Sequence, residues 1–131
     1  MSVEYAREWV AKAEADYKAA LTLHQERKPA LADAVCFHCQ QCAEKYLKAF
    51  LACQNVDAPR IHSLAQLNDM CQALEADFSS LTGLVDRLDP YAVEIRYPGV
   101  FATLEEAQAA VEVLEEIRSF IRARLDPEAL G

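Results

Sequence analysis

Apolar residues recur along this chain at three- and four-residue intervals, a spacing that predicts helices rather than strands. A first helix is predicted from about Val3 to Glu26, capped by Ser2, with Trp9, Ala13, Tyr17, Ala20 and Leu21 as its inward stripe. The segment ERKPALAD then turns the chain at Pro29. A second helix is predicted from about Ala30 to Gln54, with Val35, Cys39, Cys42, Tyr46, Ala49 and Cys53 on one broad stripe flanked by Phe50. NVDAPRIHS reads as a loop, followed by a third helix from about Ser63 to Asp77 with Leu64, Leu67, Cys71 and Leu74 inward. Leu81, Leu84, Val85 and Leu88 make a fourth stripe. Asp89 as N-cap, with Pro90 at the first helical position, predicts a short helix over PYAVEIRY that Pro98-Gly99 ends. The last helix starts at Thr103, where TLEE is a capping box, and runs through Ala107, Val111, Leu114, Ile117 and Ile121 to about Leu125.

Long amphipathic helices joined by short connections imply an all-α, up-and-down bundle of four to five helices. With 131 residues the chain is expected to form one domain, residues 1–131, burying roughly two-thirds of its unfolded surface. Composition agrees, because 53% of residues are hydrophobic, many of them Ala and Leu, and only three are Gly.

Charge narrows the function classes. A formal net charge of −8 disfavours a non-specific nucleic-acid binder, which needs clustered Lys and Arg to neutralise phosphates. Any RNA or nucleotide must then be met by a local feature against an unfavourable global field. The N-terminus MSVEYAREWV carries charges where a signal peptide needs an apolar stretch. No apolar run approaches the ~18 residues of a membrane span. Five cysteines, three of them crowded on one helix, fit reduced thiols, and a cytoplasmic protein with no membrane association is expected.

Candidate chemistry concentrates in CFHCQQCAEKYLKAFL, residues 36–51. As a string it offers Cys-x-x-Cys-x-x-Cys, as in cluster-binding loops. Its flanks, LADAV and AEKYLKAFLA, are strong helix formers without Gly or Pro. On a helix Cys36, Cys39 and Cys42 fan across roughly 120° instead of converging. No second Cys-x-x-Cys pair completes a zinc site. The cysteines therefore read as small core residues, and neither metal nor cofactor is expected. His38 reads as a helix side chain bonded to a neighbour, and the opposite face carries Gln41, Glu44, Lys45 and Lys48. It is either a solvated face with helix-local charge pairs or a binding surface.

Three segments together resemble the HEPN (higher-eukaryote and prokaryote nucleotide-binding) domain family. Phe37, His38, Gln40, Gln41, Glu44, Lys45 and Lys48 reproduce a signature helix similar to that family's. RIHSL is similar to its Thr-His-x-Leu helix start through His62 and Leu64, with Ile61 departing. DPYAVEIRYPG is similar to its Arg-Tyr-Pro segment through Arg96, Tyr97 and Pro98, and Trp9, Ala13 and Asp16 fit the opening helix. The resemblance implies a four- or five-helix bundle, usually a homodimer, and often a minimal nucleotidyltransferase partner in a toxin–antitoxin-like pair. It also implies an alternative, a metal-independent ribonuclease toxin, whose branch uses an Arg followed by a His one to two turns downstream. Arg96 is followed by Tyr97, Pro98, Gly99, Val100 and Phe101, and no His occurs after His62. His38 or His62 would have to supply the proton transfer that RNA cleavage needs. The favoured expectation is thus a nucleotide- or partner-binding helical subunit with no catalytic residue assigned, using His38, Gln41, Glu44, Lys45, Lys48, His62, Arg96 and Tyr97. The remaining alternative is a purely structural helical interaction protein, in which Arg96 pairs with Glu44 or Glu94.

Overall fold

Helices α1 (Val3–Gln25), α2 (Ala32–Cys53), α3 (Leu64–Leu74), α4 (Thr82–Leu88) and α5 (Leu104–Arg122) follow one another through loops and short 3-10 turns. The computed structural model describes residues 3–93 and 98–131, with no strand among them. The Ser2 cap and the second half of the predicted PYAVEIRY helix, residues 94–97, lie outside the described residues.

Helices α1 and α2 pack more extensively than any other pair. They run antiparallel: Trp9 near the start of α1 meets Lys48 near the end of α2, while Asp16 meets His38 and Lys45. Ala6, Ala13 and Ala20 recur every seven residues on α1, all fully buried, so the α1 backbone approaches its neighbours closely. Trp9, Tyr17 and Leu21, predicted on the same stripe, flank it and are only partly buried. The termini of α1 and α2 are marked by left-handed residues, Arg27 (φ 53°) and Asn55 (φ 60°).

Helix α2 is central. Fifteen of its 22 residues are buried, against α1, α3, α4 and α5, so it is wrapped nearly all round rather than on one stripe. Its predicted start at Ala30 is corrected to Ala32, because Pro29–Leu31 forms a 3-10 turn in which Leu31 N donates to Lys28 O (2.9 Å).

Helix α3 ends at Leu74, short of the predicted Asp77. The chain extends at Glu75 (φ −143°, ψ 108°) and re-enters as a 3-10 segment, Ala76–Leu81. That break drops Phe78 into the core, where its ring centroid lies 4.5 Å from Phe50 and 5.1 Å from Phe120, and it leaves Leu74 47% exposed. Leu81, Val85 and Leu88 are buried as the fourth stripe predicts.

Asp89 does not cap a helix of its own. The residues Asp89–Ala92 form a 3-10 turn, and the Asp89 carboxylate accepts from Leu64 N (2.8 Å) and Ala65 N (3.2 Å), capping α3 beside Ser63. The predicted capping box at the start of α5 is present, with Glu106 N donating to Thr103 Oγ1 (3.0 Å) and Thr103 N to Glu106 Oε1 (3.2 Å). After α5 the chain folds back as Pro127–Leu130, where Ala129 packs on Ala6 and Ala52 and Arg7 donates to Glu128 O (2.8 Å). Among the described residues no helix is long and apolar enough to cross a membrane.

Candidate binding site

The cysteines belong to the core. Cys36, Cys39, Cys42 and Cys71 are fully buried and unpaired. Burial pushes the Cys36 thiol up to about 12 and that of Cys39 higher still, so these sulfurs are poor thiolates. Among the described residues no group of three or more His, Cys, Asp or Glu side chains is placed to hold a metal ion.

The polar side chains of α2 are not the solvated face their spacing suggests. Glu44 and Lys48 are 4% and 5% exposed, because α1 and the loop before α3 cover them. Lys48 Nζ donates to Glu44 Oε2 (3.1 Å) and rests over the Trp9 ring, 5.3 Å from its centroid. Glu44 also receives His62, whose Nδ1 lies 3.1 Å from Oε1 and 3.3 Å from Oε2. A carboxylate only accepts, so His62 carries its proton on Nδ1 and turns Nε2 outward. Glu44 is thus occupied by Lys48 and His62, and Arg96 lies outside the described residues together with Tyr97 and Glu94.

One turn away the pattern repeats with Asp16, on the buried face of α1. His38 Nδ1 lies 2.8 Å from Asp16 Oδ1, and Lys45 Nζ donates to Asp16 Oδ2. Each carboxylate therefore holds one Lys and one His. The His side chains are 30% exposed at His38 and 73% at His62. Neither Nε2 has a partner among the described residues, so both are open to a ligand. Gln40, fully buried, ties the loop before α3 to α2: its Nε2 donates to the His62 carbonyl (3.0 Å) and its Oε1 accepts from Gln41 Nε2 (2.7 Å). His38, Gln41, Glu44, Lys45, Lys48 and His62 are thereby gathered on one side of the α1–α2 pair.

Asp16 and Gln40 are the key positioning residues, and neither was among the site residues chosen from the sequence. A signal existed for Asp16: it lies three residues after Ala13 and four before Ala20, a charged side chain on a core-facing row. A second carboxylate two residues earlier behaves differently. Arg118 donates to Glu14 through Nε (2.8 Å) and Nη2 (2.7 Å), Tyr46 Oη also donates to it, and Arg122 Nη1 donates to Tyr46 Oη (3.0 Å). The Arg118 hydrogen bonds hold Glu14 below the ordinary carboxylate range, and burial pushes the Tyr46 phenol up.

The segment holding Arg96 and Tyr97 is flanked by exposed apolar residues, Val93 (54%), Val100 (42%) and Phe101 (77%). Asp33, in the first turn of α2, accepts from Ala102 N (2.6 Å) and so fixes Phe101 beside the start of that helix.

Among curated proteins none matches this chain. Two solved structures share its architecture. TT1696 from Thermus thermophilus superposes with a TM-score of 0.76 at 24% identity, over 92% of this chain and 98% of that one. ST0689, an archaeal HEPN homologue, superposes with a TM-score of 0.72 at 23% identity over the same shares. At these identities the likeness establishes the fold. The sequence pattern of the HEPN domain matches residues 6–124, from α1 through the last turn of the bundle, and on that match the chain belongs to the HEPN domain family.

Proposed function

We propose that this HEPN-domain chain is a binding subunit, and that the side of α2 carrying His38, Gln41 and Lys45, with His62 from the loop before α3, receives a protein partner of the minimal-nucleotidyltransferase kind. One observation carries this reading. Among the described residues the cations on that face are already neutralised, Lys45 by Asp16 and Lys48 by Glu44, so these residues provide no local positive excess to draw a phosphate into an acidic protein. Outward ring nitrogens on that face, with the exposed Phe101 held at the start of α2, offer instead the polar and aromatic anchors favoured at protein interfaces. Homodimerisation and a toxin–antitoxin-like pairing are added to this reading on the family resemblance alone.

The test is capture from native lysate, with the captured protein identified by mass spectrometry. A partner with a nucleotidyltransferase Gly-Ser motif and paired Asp residues, lost with Lys45→Glu or Phe101→Asp, is the expected result. Retention of that partner by both variants overturns the proposal.

A second reading, a metal-independent ribonuclease, is favoured by the Glu44–His62 pair, since a carboxylate that fixes a histidine tautomer prepares its other nitrogen for proton transfer. Cleavage of single-stranded RNA in chelator, abolished by His62→Ala, is its signature.

A further inference from the structure

A cleft of about 160 Å³ opens between α4, the Asp89–Ala92 turn and α5, away from the α2 face. Its floor is apolar, with Leu88 fully buried and Val113 nearly so. Tyr91 and Ala109 form its half-buried walls, and Arg87 and Glu106 stand exposed at its mouth. A cavity of about 150 Å³ holds one benzene ring, whereas drug-sized ligands need about 300–1,000 Å³. The space therefore suits one compact apolar group.

The two charges at the mouth are of opposite sign and are not paired with each other. Glu106 is aimed by its neighbours: Thr103 N donates to Oε1 (3.2 Å) and Tyr91 Oη to Oε2 (3.3 Å), each oxygen keeping a free lone pair. Arg87 has no hydrogen-bond or ion-pair partner among the described residues, so its guanidinium fork is unengaged. An apolar floor beneath one unengaged cation and one carboxylate with acceptor capacity to spare is complementary to a zwitterion with an apolar tail. A purely apolar side chain would fill the floor but strip water from Glu106 without replacing it. A simple anion would meet Arg87 and be opposed by Glu106 and by the net charge of −8.

We propose that this cleft binds a free α-amino acid with a branched aliphatic or single-ring side chain. Its carboxylate lies on Arg87, its ammonium on Glu106, and its side chain between Tyr91, Leu88 and Ala109. The site is separate from the α2 face and does not depend on it.

The experiment is titration of the full chain with leucine, isoleucine and phenylalanine, read by amide chemical shifts at Ala109 and by calorimetry. Leucinamide and N-acetyl-leucine, each lacking one charge, serve as matched controls. At least one amino acid should bind, with both controls roughly tenfold or more weaker, as expected for loss of one charge-assisted hydrogen-bonded contact. Arg87→Ala should abolish the preference for leucine over leucinamide. Glu106→Gln should abolish the preference over N-acetyl-leucine while keeping the capping box, which Gln also supports. Ala109→Leu should block binding with the thermal midpoint preserved. Absence of any shift at millimolar amino acid, equal binding of the controls, or unchanged binding in Ala109→Leu overturns the proposal. Preferential binding of adenosine 5′-monophosphate or indole over all three amino acids overturns it as well.

Discussion

Two carboxylates on α1, Glu14 and Asp16, stand two residues apart and are used in opposite ways. Glu14 is closed: Arg118, Arg122 and Tyr46 surround it, and the cluster joins α1, α2 and α5. Asp16 is open: it holds His38 and Lys45, and the outer nitrogen of His38 is left for something else. Glu44 repeats the open pattern from α2, with Lys48 and His62. Arginine closes a carboxylate because its planar fork consumes both oxygens, whereas a histidine held at Nδ1 always has a second nitrogen to offer. The chemistry of the partner, more than that of the carboxylate, separates frame from site.

The largest expected effect comes from breaking the open network at its buried end. Glu44→Ala leaves Lys48 charged, buried and without its partner, and should cost about 3 kcal/mol by denaturant unfolding. The double variant Glu44→Met with Lys48→Met removes both charges and should recover to within about 1 kcal/mol of the parent. If the double variant is as unstable as the single one, the pair is structural after all and the contrast with Glu14 collapses.

A smaller effect is expected at the closed cluster, where Glu14→Gln should cost about 1.5 kcal/mol near neutral pH. Its sharper signature is the acid limb. The folded-state pKa of Glu14 lies below its ordinary 4.5, so its contribution is present above about 4.5 and is lost as pH falls through the lower folded value. Unfolding midpoints measured downward from pH 5 should therefore fall less steeply in Glu14→Gln than in the parent. Parallel acid limbs would show that Glu14 is not the group that couples folding to pH.

Much of the fold was legible because it is local. The Thr103–Glu106 capping box and the inward rows of α2, α4 and α5 follow from three- and four-residue spacing alone, and so does the placement of the cysteines in the core. What escaped was long-range. Phe78 gives no periodic signal, yet it is the ring that joins α2 to α5. Asp89 looked like the cap of its own helix and instead caps α3, 25 residues earlier, because tertiary packing brings the α3 amides within reach. Glu44 and Lys48 fit an exposed i,i+4 pair, and only the wrapping of α2 by its neighbours makes them a buried one. The residues of the open network were recognisable as a set by family resemblance. Asp16, which organises half of it, fitted the family's opening helix but showed its role only as a charge out of place among alanines.

The smallest expected effect on stability is also the one that bears most directly on function. His62 is largely exposed, and the loop that carries it is held independently by Gln40 at its carbonyl and by Asp89 at the next helix start. His62→Ala should thus change stability by no more than about 0.5 kcal/mol. Removing it withdraws the outward nitrogen that distinguishes the open network from the closed one, so capture of the proposed nucleotidyltransferase-type partner should fall while the thermal midpoint does not move. His62→Asn supplies a compact side chain whose amide also donates to Glu44, and it tests whether tethering alone suffices. If Asn keeps the parent's stability but does not restore capture, the ring nitrogen is the contact. If capture survives in both variants, the partner face lies elsewhere, and the two kinds of carboxylate differ in their bonding but not in their use.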